Sequence, residues 1–181
     1  MVKSGCAAGD RHRGFPPLAR EDARVLILGS MPSRESLAQR RYYAHPRNAF
    51  WPILAELLDI GATDYETRAT RVQEHGIAIW DVLGECTRPG SLDSAIDERT
   101  AVVNDFPAFF RRHTRLRRIF FNGAKAESLF VRRVLPGLDE AAAGLPRQRL
   151  PSTSPAHAGM RRAQKREAWR VILEVALECP P

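Results

Sequence analysis

The sequence predicts an α/β fold, a three-layer α/β/α sandwich built on a short central parallel sheet of about four strands. Two observations predict this class. Short apolar segments alternate with longer segments whose apolar residues recur at helical spacing, which is the pattern of strand–helix units. Three of the short segments are apolar at nearly every position, as is typical of parallel strands covered by helices on both faces.

The individual elements follow from the same patterns. Strands are predicted at residues 24–29, 76–82, 118–122 and 147–150. Helices are predicted at residues 48–58, 104–112, 124–134 and 161–177, because their apolar residues lie three and four positions apart. Residues 84–103 contain a Pro-Gly pair and are predicted to form a long loop on the side of the strand ends.

Length and composition indicate one domain. A chain of 181 residues that is 44% hydrophobic can bury a full core. Residues 1–20 are rich in glycine and proline and lack the apolar stretch of a secretion signal, so they are predicted to form a flexible N-terminal arm before a single domain at 21–181. No apolar run approaches the roughly 18 residues of a membrane span, and no membrane partner is expected.

The cysteines argue against a disulfide framework and against a thiolate metal site. Cys6, Cys86 and Cys179 are odd in number, far apart and without CxxC spacing. We therefore expect a reducing, cytoplasmic environment, no metal and no cofactor.

The net charge favours an anionic partner. Lys and Arg number 28 against 21 Asp and Glu, which gives +7 at neutral pH. Nucleic acid is the natural candidate, since a basic surface attracts phosphates. Many basic proteins bind nothing acidic, however, so the charge by itself leaves this open.

Polar residues follow each predicted strand. The first strand is followed by residues 29–33 (GSMPS) and the fourth by residues 151–155 (PSTSP), while Asp81 and Asn122 close the second and third. In an open parallel sheet, ligands bind at the carboxyl ends of the strands. Each cluster taken singly could be a helix cap or a turn. Their convergence at one edge of the sheet predicts a binding site.

Residues 42–51 (YYAHPRNAFW) combine stacking surfaces with hydrogen-bonding groups. This mixture suits a base that is extruded from a duplex and held against an aromatic ring. Part of the segment is core, because Phe50 shares an apolar stripe with Ile53 and Leu57. Asn48 could act as a helix N-cap instead of a functional group.

These segments resemble the signature motifs of the uracil-DNA glycosylase superfamily. The resemblance covers roughly residues 24–177 and is carried by GSMPS, HPRNAFW, WDVLGECTRPGSLDSAI and LPSTSPAHA. It is closest to the hypoxanthine-DNA (deoxyinosine) glycosylase branch, and HPRNAFW also resembles its counterpart in mismatch-specific uracil glycosylases. The resemblance implies a monofunctional DNA glycosylase that hydrolyses the N-glycosidic bond of a deaminated base, preferably hypoxanthine and alternatively uracil, and so starts base excision repair.

The resemblance also implies roles for residues around the base. Most branches orient the attacking water with a carboxylate or amide in the first motif, where this chain has the apolar Met31. The hypoxanthine branch uses an asparagine of the HPxNxFW segment, so the catalytic role falls on Asn48. Phe50 corresponds to the aromatic that stacks on the base. Ser30, Met31 and Asn122 complete the expected base-binding set.

Asp81 corresponds to the residue that reads the base. Hypoxanthine and uracil both present a ring N–H beside a carbonyl, and an ionised carboxylate can only accept hydrogen bonds. Asp81 is therefore expected to accept the ring N–H. Adenine and cytosine present a bare ring nitrogen there, at a cost of about 1–3 kcal/mol for the unpaired group. A buried cap or an ion pair is the alternative role for Asp81.

The segment LPSTSPAHA at residues 150–158 resembles the second motif of the superfamily, which implies that it contacts the DNA backbone. Hydroxyl groups and backbone amides commonly bind phosphates, and basic side chains supply the electrostatic track. The expected DNA-binding residues are Ser33, Ser152, Thr153, Ser154, His157, Arg147 and Arg149. Arg161, Arg162, Lys165 and Arg166 could equally be a solvated helix face. The role of His157 stays open.

Two other functions stay open on the sequence. One is a non-catalytic nucleic-acid-binding module on the same sheet. The other is a lyase that forms a Schiff base through Lys125, which nothing in its neighbourhood favours. A monomer acting on DNA that contains deaminated bases is the expected state.

Overall fold

The computed structural model describes residues 11–61 and 63–177. Within them the strands are β1 Arg11–Arg13, β2 Val25–Gly29, β3 Ile77–Asp81, β4 Leu83–Thr87, β5 Asp97–Val103, β6 Arg118–Asn122 and β7 Arg147–Leu150. The helices are α1 Arg34–Gln39, α2 Phe50–Leu58, α3 Tyr65–Glu74, α4 Phe106–Arg112, α5 Ala124–Leu129, α6 Glu140–Ala143, α7 Arg162–Trp169 and α8 Val171–Ala176.

The central sheet is parallel and has the strand order β3-β2-β6-β7. All residues of β2 and β3 are buried, which explains why their sequences VLILG and IAIWD are almost wholly apolar. The edge strand β7 is exposed at three of four positions and carries two arginines, which protect an open edge from pairing with another chain. The predicted four-stranded parallel sheet between helices is confirmed.

The strand order places a crevice between β2 and β6. The chain leaves β2 toward β3 on one side and leaves β6 toward β7 on the other. Because such crossovers are right-handed, the two connections run over opposite faces of the sheet. The loops that follow β2 and β6 therefore diverge, and a ligand can enter between them at the carboxyl ends of the strands.

The prediction of a loop at residues 84–103 is wrong, because this segment forms most of a second sheet. Strand β4 pairs with β1 on one side and with β5 on the other, both antiparallel. Pro89 and Gly90 occupy only the turn region between β4 and β5, and a 3-10 turn follows at Asp93–Ala95. The β4–β5 register shifts twice, so the period of two that marks a strand is interrupted and hidden in the sequence.

Part of the predicted N-terminal arm is held against the fold. Residues 1–10 lie outside the described part of the chain. Gly14 donates its backbone N–H to Gly84, and Leu18 forms a bridge with Ile79 of β3. Trp80 and Tyr42 also donate hydrogen bonds to backbone carbonyls of residues 15–16. The expectation of a loose arm is therefore wrong for residues 11–20, because buried side chains anchor this Gly- and Pro-rich backbone.

The predicted helices are present with different ends. The prediction for residues 161–177 corresponds to the two helices α7 and α8, and that for residues 124–134 to α5 followed by one π-helical segment, Phe130–Val134. Helices α1 and α3 were not predicted, since they bury only one and two residues respectively and so lack a clear apolar stripe.

Aromatic rings form the core beside the crevice. Phe50 is fully buried, its ring stacks on Tyr43 at 3.7 Å between centroids, and it meets Trp51 and Trp169 edge to face at 5.2 and 5.6 Å. Edge-to-face and offset contacts of this kind add to the stabilisation that comes from burial. Phe50 thus joins α2 to α7 beneath the segment that precedes α2.

We expect Phe50→Ala to lower the free energy of unfolding by about 3–5 kcal/mol, because it leaves a cavity among three aromatic rings. Urea denaturation followed by circular dichroism measures the change. Leu92→Ala is the matched control: Leu92 is 58% exposed and its truncation leaves no cavity. Equal, small changes in the two variants would contradict a core role for Phe50.

Candidate functional site

A cavity of about 270 Å³ opens where β2, β3 and β6 end. Nine of the sequence-predicted site residues line it, together with parts of the segments that precede α2 and follow β4. These nine are Ser30, Met31, Ser33, Asn48, Asp81, Asn122, Ser152, Ser154 and His157. The convergence expected from the strand ends is therefore present. Four predicted site residues do not line the cavity: Phe50, Thr153, Arg147 and Arg149.

Asp81 lies at the floor of this cavity, tightly held against β2. It is 4% exposed. A methyl group placed on Gly29 would lie 2.2 Å from Asp81 Oδ1, so only a glycine fits at that position beside the carboxyl group. Asn104 donates its side-chain N–H to the Asp81 backbone carbonyl at 2.8 Å and fixes the end of β3.

The surroundings of Asp81 favour its neutral form. Burial, with a smaller contribution from the neighbouring Asp93 carboxylate and against the opposing Arg88 guanidinium, raises the pKa of Asp81 to about 8. Its Oδ2 atom is buried and has no hydrogen-bond partner among the described residues. Because a lone buried carboxylate is costly, the group keeps its proton near neutral pH.

This raised pKa makes stability depend on pH. Folded Asp81 binds a proton more tightly than it does in the unfolded chain, so its stabilising contribution is complete below about pH 4 and is lost as the pH rises toward about 8. We expect wild type to lose stability relative to Asp81→Asn across this window, by at most about 1.4 kcal/mol per pH unit. Urea denaturation of both proteins at several pH values measures the difference. A constant difference would contradict the raised pKa.

The loop after β2 is held by contacts from the segment after β4. Ser30 donates its hydroxyl hydrogen to Asp93 Oδ1 at 2.6 Å, and Ser91 Oγ accepts the backbone N–H of Arg34 at 3.0 Å. Arg88 is completely buried and donates to the Pro32 carbonyl. Its Nη1 lies 4.0 Å from Asp93 Oδ1. A buried cation thus lies directly behind the first motif loop.

Tyr42 and Tyr43 are the aromatic residues that line the cavity, and Tyr43 is the more exposed of the two. Phe50 was predicted to stack on the base, but its ring is fully buried and Tyr43 covers its face. Tyr43 itself has a left-handed backbone, with φ of +54°, which is uncommon outside glycine and costs energy. Burial, followed by the proximity of Asp81, raises the pKa of the Tyr43 hydroxyl above its usual value. Tyr43 is therefore a neutral hydroxyl group beside Asp81.

Asn48 lines the cavity just before α2. Its Oδ1 accepts the backbone N–H of Phe50 at 3.0 Å, so the amide group has a fixed orientation. The residue in the N-cap position itself is Ala49, which makes no side-chain cap. An amide oxygen has two lone pairs. One lone pair of Asn48 therefore remains to accept a hydrogen bond from a water molecule.

Asn122 and Thr153 connect the two motif loops. Asn122 donates to Thr153 Oγ1 at 2.9 Å and accepts the Thr153 backbone N–H at 2.8 Å. The Thr153 carbonyl accepts the backbone N–H of Ala49 at 3.1 Å. Thr153 is 1% exposed. The predicted phosphate contact of its hydroxyl is therefore wrong, because this hydroxyl is buried against Asn122 and ties the second loop to β6 and α2.

The basic residues that were predicted to form a track for DNA do not lie together. Arg147 begins β7, at the end of the strand far from the cavity, and bonds to the Ala143 carbonyl. Arg149 pairs with Glu127 at 3.2 Å. Lys165 was predicted to lie on a solvated face or a DNA track, yet it is buried and donates to the His157 carbonyl at 2.8 Å. Lys165 therefore supports the second loop from beneath.

Lys125 is engaged elsewhere. Its Nζ lies 2.6 Å from Glu98 Oε1, and Arg132 pairs with the same carboxylate at 3.0 Å. These two cations lower the pKa of Glu98 to about 2. The cluster joins β5 to α5 and the segment that follows it, and Lys125 does not line the cavity.

Sequence reasoning missed several residues of the cavity. Ser91, Leu92 and Asp93 lie in the segment predicted to be a loop, and Arg88 supports them from β4's end. Arg88 and Asp93 have opposite charges and flank a Pro-Gly pair near the predicted site. This pattern could have indicated that the segment turns back and contributes polar groups to the site. Leu92 is exposed at the cavity mouth.

Among residues 11–61 and 63–177, no group of three or more His, Cys, Asp or Glu side chains is placed to hold a metal ion. The helices of the same residues include none long and apolar enough to cross a membrane.

The fold and the cavity together define an α/β protein with a pocket lined by polar residues at the switch point of a parallel sheet. The family described as "Uracil DNA glycosylase superfamily" matches residues 16–174. The chain therefore belongs to the uracil DNA glycosylase superfamily, and its class of activity is that of a DNA glycosylase.

The chain is also similar to individual proteins whose names are consistent with this family. The chain is 38% identical over 116 residues to a hypoxanthine DNA glycosylase of Methanosarcina acetivorans, a match that covers 63% of this chain and 72% of the relative. It is 32% identical over 118 residues to a hypoxanthine DNA glycosylase of Methanosarcina barkeri, covering 64% and 73%. A solution NMR structure of a candidate uracil DNA glycosylase from M. acetivorans superposes with a TM-score of 0.77 at 30% identity, covering 93% of this chain and all of that one.

Proposed function

We propose that this protein is a monofunctional hypoxanthine-DNA glycosylase, which extrudes deoxyinosine from DNA and hydrolyses its N-glycosidic bond to start base excision repair. The observation that carries the proposal is the cavity that joins Asn48, Asp81 and both motif loops at one edge of the sheet. Its volume, about 270 Å³, suits a single base. The names of the two Methanosarcina relatives support hypoxanthine as the preferred base.

Asn48 orients the attacking water in this proposal. Hydrolysis places positive charge on the sugar, so a weak nucleophile such as water suffices if it is correctly positioned. The amide of Asn48 is fixed by the Phe50 N–H and retains a lone pair for the water. Met31, at the position where most branches have a polar group, is 6% exposed and contributes only an apolar wall.

The extruded base rests against Tyr43, and the second motif holds the DNA backbone. Ser33, Ser152, Ser154 and His157 border the cavity with groups that can donate to phosphate oxygens. Arg149, on the exposed edge strand, adds electrostatic attraction. The protein acts as a monomer in the reducing cytoplasm in this proposal, with no cofactor.

Matched duplex oligonucleotides with one deoxyinosine, deoxyuridine or deoxyxanthosine test the function. We expect release from deoxyinosine without added metal, seen as strand cleavage after the abasic site is heated in alkali. Release from deoxyuridine alone would move the protein to the uracil-specific alternative. DNA binding with no release from any base would instead favour the non-catalytic binding module.

A further inference from the structure

The carboxyl group of Asp81 is isolated from cations. The charged and titratable groups that face it are Asp93 and Arg88, from the segment after β4, and Tyr42 and Tyr43, from the segment before α2. Arg88 is the only cation among those described groups, and its nearest carboxylate contact is with Asp93 at 4.0 Å. Burial and Asp93 outweigh it. Asp81 is 4% exposed and its Oδ2 atom has no hydrogen-bond partner among the described residues, so an ionised carboxylate would be left buried and unpaired there. Asp81 therefore has the environment of a neutral acid.

An ionised Asp81 would oppose the proposed reaction. The base departs with negative charge, which spreads over its ring nitrogens and carbonyl oxygen. A carboxylate in the same buried cavity would repel this charge, and the low dielectric of the cavity would strengthen the repulsion. A neutral carboxyl group carries both an O–H donor and a carbonyl acceptor. It matches the ring N–H and the adjacent carbonyl of hypoxanthine with two hydrogen bonds.

We propose that Asp81 works as a neutral carboxylic acid, which accepts the ring N–H of the extruded base and donates its own proton in a hydrogen bond to the base carbonyl. The inference rests on the proposed function and deepens it. The donated hydrogen bond strengthens as charge develops on the departing base, so it stabilises the transition state more than the bound substrate. No covalent bond to Asp81 forms, and its proton stays on the carboxyl group.

This role changes the expected basis of selectivity. A carboxylate can only accept hydrogen bonds and so rejects adenine, whereas a neutral acid can place its proton on either oxygen and can donate to the bare ring nitrogen of adenine. Selection against adenine and guanine then rests more on the cost of extruding a base from an intact pair, which is lowest for a weakened pair.

The test is the pH dependence of single-turnover hypoxanthine release, measured from about pH 6 to about pH 9.5 for wild type and Asp81→Asn. The amide of the variant supplies a donor and an acceptor but does not ionise. We expect the wild-type rate to fall about tenfold per pH unit above about pH 8, and the variant rate to lack this fall whatever its absolute value. Ionisation of the base itself would affect both proteins alike, so the ratio of their rates isolates Asp81.

Asp93→Asn provides an independent readout. Removing the Asp93 charge lowers the pKa of Asp81, so the alkaline fall of the rate is expected to move to lower pH. A wild-type rate that rises or stays flat with pH, or an equal fall in Asp81→Asn, would overturn the neutral-acid role alone. Absence of release by wild type at every pH would overturn the proposed function, and this proposal with it.

Discussion

Asn48→Ala is expected to lower the single-turnover rate of hypoxanthine release at least about 100-fold while duplex binding is retained. The truncation removes the amide oxygen that is fixed by the Phe50 N–H and faces the cavity. The water then loses its acceptor at the moment when charge develops on the sugar. The backbone and the DNA-contacting loops keep their places, because the loop contacts of Thr153 involve backbone and Asn122 groups rather than Asn48.

The measurement needs to separate chemistry from folding. Loss of the Asn48 hydrogen bond to Phe50 is expected to cost about 1 kcal/mol of stability, similar to the loss of a helix cap. Asn48→Asp keeps an acceptor for both the Phe50 N–H and the water, so it is the matched control and is expected to retain much more activity than Asn48→Ala. Equal rates for wild type and Asn48→Ala would remove Asn48 from the mechanism and direct attention to other cavity groups.

Much of the site could be predicted because its residues lie at the ends of strands. Ser30, Asp81 and Asn122 each end or follow a strongly apolar strand, and parallel strands bring their carboxyl ends to one edge. That rule needs only the location of the strands, which the apolar runs provide. The same rule could not find Asp93, because the second sheet contributes it from a segment whose bulged strands hide their alternation.

Two residues whose predicted roles differ from the structure, Phe50 and Thr153, are buried. Phe50 and Tyr43 are both aromatic and close in sequence, and only the tertiary structure shows that Phe50 packs against α7 while Tyr43 lines the cavity. Thr153 lies between two serines that line the cavity, yet it points inward to Asn122. Residue type indicates that a hydroxyl group will make a polar contact, but which side of the loop it faces depends on tertiary contacts that a local pattern does not contain.

Gly29→Ala is expected to lower the rate of base release by about 100-fold, because the new methyl group would take the place of the Asp81 carboxyl group. An ideal Cβ at this position lies 2.2 Å from Asp81 Oδ1 and 3.0 Å from the Tyr43 hydroxyl oxygen. Asp81 is short and buried and Tyr43 is packed on Phe50, so neither can move aside without leaving its position in the cavity. Overpacking of this kind is also expected to cost about 1–3 kcal/mol of stability.

Gly137→Ala is the matched control for this substitution. A methyl group on Gly137 meets no atom within 4 Å, so we expect unchanged base release and a stability that is unaltered or slightly higher, since alanine restricts the unfolded chain. Release rates and urea midpoints of both variants provide the measurement. If Gly29→Ala folds and releases hypoxanthine at the wild-type rate, the contact between β2 and Asp81 does not position the acid. If it releases slowly and binds duplex DNA normally, the defect lies in the base-reading step, because Asn122 and Lys165, rather than Gly29, hold the loop after β7 that is proposed to contact the DNA backbone.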